Sequence, residues 1–126
     1  MNSLSEYIIE KFKISKNIKN DGFDFDEVKS IIDIGINKKN DSSEDEYKIT
    51  SYNVEYEEEP TPESAFHDKL YKIKITDIKI KNQFKGLLTS FARSICGEFE
   101  ENEKYDWTSR NDDNRNIEIN IYEKNR

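Results

Sequence analysis

The chain contains one cysteine, Cys96, and one histidine, His67. A single thiol excludes a disulfide framework within the chain and suits a reducing compartment. A structural zinc site takes about four Cys or His ligands, so this supply excludes one in practice. His67 has no cysteine nucleophile near it in sequence and reads as an ordinary surface residue. No apolar run approaches the roughly 20 residues of a membrane span. Glu6 and Glu10 interrupt the first apolar residues, which is not the build of a signal peptide. Positive charge is short as well. The net charge of −7 disfavours sequence-independent binding to DNA, which depends on cations that neutralise phosphates. These absences describe a soluble intracellular protein with no membrane contact, no direct nucleic-acid binding and no cofactor expected.

What remains is lean, with 33% hydrophobic residues against 37% charged, but it is not disordered. The Ile, Tyr and Phe residues sit in periodic runs. A chain of 126 residues forms one domain with one modest core. Ser3 and Glu6 fit a capping box, and Leu4, Tyr7, Ile8 and Phe12 follow at helical spacing, which predicts a helix over 3–13. Asp24 to Glu27 opens a second helix over 25–34. Its stripe is Phe25, Val28, Ile31 and Ile32, and Gly35 suits a C-cap. Residues 1–36 are therefore an N-terminal helical segment, 37–46 a polar linker, and 47–126 an α+β core.

Within that core, 47–56 and 71–80 both alternate apolar and polar residues. Each slips phase once, at Thr50–Ser51 and at Thr76–Asp77. Folding them so that the slips coincide sets Val54 against Ile73 and Tyr56 against Tyr71. Glu55 then meets Lys72, at the cost of Lys48 facing Lys79. The connecting loop, 58–67, holds both prolines, Pro60 and Pro62. Phe84, Leu87, Leu88, Phe91, Ala92, Ile95 and Phe99 form one continuous helical face, with Asn82 as its cap and Gly97 at its end. Residues 103–109 and 115–123 make a second hairpin. No internal repeat of fixed period is visible. The expected fold is α+β, in the order α-α-β-β-α-β-β: a four-stranded antiparallel sheet of two hairpins packed on one amphipathic helix.

No catalytic or cofactor motif stands out, so functional candidates come from charge. Between Asp41 and Glu63 lie nine acidic residues and one lysine, and between Lys69 and Lys85 six lysines and one aspartate. An acidic surface steers a basic partner, although the same pattern also suits a solvated loop beside Glu–Lys pairs. The candidate partner-binding residues are Glu44, Asp45, Glu46, Glu57, Glu58, Glu59 and Glu63, together with Tyr7 and Ile8 on the first helix. A reading from another class takes Glu55, Asp77 and Lys79 as a metal-dependent nucleic-acid-cleaving centre. There carboxylates would hold Mg²⁺ and the lysine would orient water. Cys96 reads as a buried small residue, and Tyr105 and Trp107 as packing residues.

The first ten residues run Met1-Asn-Ser-Leu-Ser-Glu-Tyr-Ile-Ile-Glu10. With Ser3, the Glu6-Tyr7 pair and the Ile8-Ile9-Glu10 end on one amphipathic helix, this stretch resembles the capsid-targeting leader of internal head proteins of T4-like phages. The resemblance implies packaging into a head and cleavage after Glu10. Residues 11–126 resemble no family. The expected function is that of a small acidic protein that binds a protein with a basic surface. It would be phage-encoded, as a virion component or an inhibitor of a host factor, in the host cytoplasm or the virion. The oligomeric state stays open.

Overall fold

The computed structural model describes residues 22–59 and 69–124. The expected helix over 3–13 and most of the proline-bearing loop lie outside the described residues. Helix α1 spans Phe25–Asp41. Asp24 caps it, its side chain accepting from the backbone N–H of Asp26 at 3.0 Å and of Glu27 at 3.4 Å. The helix runs past the expected end at 34, because Gly35 is not a cap. It sits inside the helix, where an added Cβ would lie 2.7 Å from the Ile95 backbone. The absence of a side chain lets α1 meet the second helix closely, and Ser94 Oγ donates to the Gly35 carbonyl at 2.6 Å across that contact. The expected linker is correspondingly short: α1 continues to Asp41, and a 3₁₀ turn occupies Asp45–Tyr47.

Strands β1 (Ile49–Glu59) and β2 (Leu70–Ile80) form the first hairpin. Helix α2 (Leu87–Glu101) follows, and β3 (Tyr105–Asp112) and β4 (Ile117–Glu123) form the second hairpin. The sheet order is β1-β2-β4-β3, all antiparallel neighbours. The chain thus repeats one α-β-β unit, and the units join through their second strands. This α+β class and its order match the sequence reading.

The register of the first hairpin differs from expectation by two residues. Val54 lies opposite Ile75 and Tyr56 opposite Ile73. A shift of two leaves every side chain on its own face. It keeps the charge pairs as Glu55 with Lys74 and Glu57 with Lys72, and it sets Lys79 against Ser51 instead of Lys48. The phase slips are real but staggered: the irregularities fall at Thr50 on β1 and at Asp77 on β2, where φ is +51°.

Tyr71, Ile73 and Ile75 of β2 lie opposite Ile121, Ile119 and Ile117 of β4, all buried. They share one core with Phe91, Ile95 and Phe99 of α2 and Val28, Ile32 and Ile36 of α1. Two helices therefore cover this sheet face, where one was expected. Phe84 departs from its expected place. Gly86, at φ +90°, turns the chain just before Leu87, so Phe84 precedes the helix, is 52% exposed and meets Tyr47 edge-on at 5.3 Å. Asn82 donates to Glu46 instead of capping, and Gly97 lies within α2, which ends at Glu101.

Candidate protein-binding site

Strand β1 is an edge strand of 11 residues, so one row of its backbone N–H and C=O groups faces away from the sheet. At roughly 3.3 Å per residue the edge is about 35 Å long. Its foot is tied to α1 by Asn40, whose Nδ2 donates to the Ile49 carbonyl at 3.0 Å and whose Oδ1 accepts from the Ile49 N–H at 2.9 Å. Its far end meets an aromatic cluster: the Tyr56 ring lies 4.6 Å from Phe25 and 4.9 Å from Phe23.

Between these ties, α1 stands off from β1. The close Gly35–Ile95 contact commits the apolar stripe of α1 to α2 and draws it away from the sheet edge. A groove of about 500 Å³ remains, lined by Asp26, Lys29, Ser30 and Asp33 of α1 and by Tyr52, Asn53 and Val54 of β1. Tyr52 and Val54 lie half-buried between more polar walls, and Tyr56, further along β1, is 46% exposed. Lys29 pairs with Asp26 at 3.6 Å and lies over the Phe25 ring, which leaves Asp33 to set an acidic sign.

The acidic residues singled out in the sequence do not form one field. Glu44, Asp45 and Glu46 lie at the foot of β1, and Glu57 and Glu58 near its other end, about 26–30 Å away by strand length. Many are partnered. Asp45 pairs with Lys48 at 3.2 Å, Glu57 with Lys74 at 3.6 Å and Glu58 with Lys69 at 3.5 Å. Glu46 accepts from Asn82 and holds the Tyr47 hydroxyl pKa above its usual value. The backbone of Glu59 pairs with Leu70. Glu63, Tyr7 and Ile8 lie outside the described residues.

Glu55, Asp77 and Lys79 are not drawn into one centre. Glu55 is opposite Lys74, Asp77 occupies the bulge and Lys79 is opposite Ser51. Among the described residues, no group of three His, Cys, Asp or Glu side chains is placed to hold a metal ion. Cys96 is 3% exposed, and burial pushes its thiol up to about 12, so it is a packing residue and not a nucleophile. Tyr105 is buried with its hydroxyl accepting from the Asp24 N–H at 2.9 Å, and burial raises its pKa. Trp107 is half-buried and donates to Glu100 at 2.8 Å.

Sequence reasoning did not single out Tyr52 and Val54, which alternate regularly along their strand, nor Asp26, Lys29 and Asp33 as site residues. One signal was available. At the facing positions β2 carries Ile73 and Ile75, whereas β1 carries Tyr56 and Val54, with Tyr52 beyond. Tyrosine tolerates a half-wet site because its ring is apolar and its hydroxyl polar. No family model, curated protein or solved structure matches this chain. Among the described residues, no helix is long and apolar enough to cross a membrane.

Proposed function

We propose that this protein binds another protein by receiving an extended, basic segment along the edge of β1 that no other described strand covers. The observation that carries this reading is the edge itself: an 11-residue strand, about half of whose backbone N–H and C=O groups point outward, beside a groove that α1 leaves open over Tyr52 and Val54. Native sheets commonly blunt such an edge with lysines, prolines or a covering element. Here the strand interior from Ile49 to Glu57 has neither lysine nor proline. An added strand gains main-chain hydrogen bonds, and alternate side chains enter the groove over Tyr52 and Val54. Lysines that alternate with those side chains lie on the opposite face, where β1 carries Glu55. The resemblance of Met1–Glu10 to a phage head-protein leader supports a phage setting for this activity, as a virion component or an inhibitor of a host factor.

The test uses the full chain and a synthetic peptide that alternates lysine with valine. Binding is expected in low salt, weakening as salt screens the carboxylates. Val54→Lys sets a cation on the groove floor and should abolish it. Equal binding by the wild type and Val54→Lys, or equal binding of a glutamate–valine peptide, would sink the reading.

A further inference from the structure

A second groove adjoins α1 and shares Ser30 with the one beside β1. It measures about 460 Å³ and runs between α1 and the corner where α2 passes into β3. Ser30, Ile31, Ile34 and Tyr105 line it, with Glu27 and Lys104 among its polar walls. Ile34 is 47% exposed there, one of three large hydrophobic residues among the described ones to be so open.

Ile34 belongs to a row. Glu27, Ser30, Ile34 and Lys38 follow one another at intervals of three and four residues, so they line up along α1, and all four are exposed. In order the row is acidic, small, large and apolar, basic. Laid antiparallel on a copy of itself, each member meets its complement: Glu27 meets Lys38, and Ser30 meets Ile34. Both pairs are centred near residue 32, so one two-fold axis makes all four contacts. Serine is small, which leaves Ile34 of the second copy room to enter the groove over Ser30, against Ile31 and Tyr105.

The charges agree with that placement. Lys104 lies 2.7 Å from Glu27 and Glu98 lies 2.6 Å from Lys38, yet the Glu27 and Lys38 side chains remain 51% and 59% exposed. Across the axis these two ion pairs join into one alternating row: Lys104 and Glu27 of one copy, then Lys38 and Glu98 of the other. Antiparallel pairing also sets the acidic first turn of one helix, Asp26 and Glu27, beside the basic last turn of the other, Lys38 and Lys39, with the two helix dipoles opposed.

We infer that two copies of this chain pair through α1, antiparallel about a two-fold axis near residue 32, with Ile34 of each seated in the groove of the other. Neither Tyr52 nor Val54 takes part, so the pairing stands or falls apart from the partner reading.

Sedimentation equilibrium of the full chain over a concentration series tests it, and a reversible monomer–dimer equilibrium is expected. Ile34→Lys, at an exposed position, should raise the dimer Kd at least about tenfold. Glu27→Lys and Lys38→Glu should each weaken self-association, because each homodimer then sets like charges together at both contacts. An equal mixture of these two variants has opposite charges at both contacts and should dimerise more tightly than either variant alone. Misfolding of a variant cannot produce that recovery. A wild type that stays monomeric at every concentration would overturn the inference, as when another segment of chain fills the groove. So would a mixture no tighter than its components, or a dimer that Ile34→Lys leaves intact and Val54→Lys dissolves, because the copies would then be meeting along β1.

Discussion

Gly35 and Gly97 show how much one missing side chain can decide. Both lie inside helices, where glycine costs about 0.5–1 kcal/mol relative to alanine. At Gly97 a Cβ would meet nothing within 4 Å, so Gly97→Ala should stabilise the protein by about that amount. At Gly35 a Cβ would strike the Ile95 backbone at 2.7 Å, and a backbone contact gives only if the helices separate. Gly35→Ala should therefore destabilise by about 1–3 kcal/mol despite the better helix former. Urea unfolding of both variants checks the sign, and a stabilised Gly35→Ala would refute the account of how α1 is held. Cys96 makes a second residue-scale case. The folded thiol titrates near 12 against an ordinary value of 9.0, so the unfolded chain loses its proton first as pH rises. The stability this group provides is complete below pH 9 and is lost between 9 and about 12. Between pH 9 and about 10.5 the loss is on the order of 2 kcal/mol, and Cys96→Ala should flatten the stability–pH curve there by that amount.

At the scale of elements, the two strands of the first hairpin fare differently although their patterns look alike. Ile73 is fully buried between β1 and β4, whereas Val54 is half-buried on the edge. Ile73→Asp should unfold the protein by burying an unpaired charge, whereas Val54→Lys should cost within about 1 kcal/mol, because its stem can lie along the groove with its ammonium in water. Thermal denaturation of the pair separates the cases, and equal losses would place Val54 in the core. The hairpins and α2 were legible because Ile117, Ile119, Ile121 and the stripe from Leu87 to Phe99 obey single periods. Three features were not. The hairpin register was ambiguous because a displacement of two preserves both face and charge pairing. Gly35 looked like a helix end because its reason for being there, Ile95, lies far along the chain. The groove beside β1 was hidden because it arises from where α1 is drawn, which no local pattern encodes. The acidic run, read as one surface, is split along the strand that carries part of it.

At the scale of the whole molecule, both α-β-β units contribute to one core. The helices should therefore melt together with the sheet. Far-ultraviolet circular dichroism and the fluorescence of Trp107, the single tryptophan, should give one coincident transition. Two transitions would mean that the units fold separately. The order β1-β2-β4-β3 also has a consequence for synthesis. Among the described residues, strand β3 has no partner in the sheet except β4, and β2 meets the strands of the second unit only through β4. On the ribosome, then, β3 waits unpaired and Ile73 and Ile75 lie along an open strand until the last strand has emerged. The first unit is a hairpin that cannot yet be a sheet, with a sticky side towards its neighbours. A translational pause before Ile117 would prolong the interval in which nascent chains can pair with one another in place of themselves.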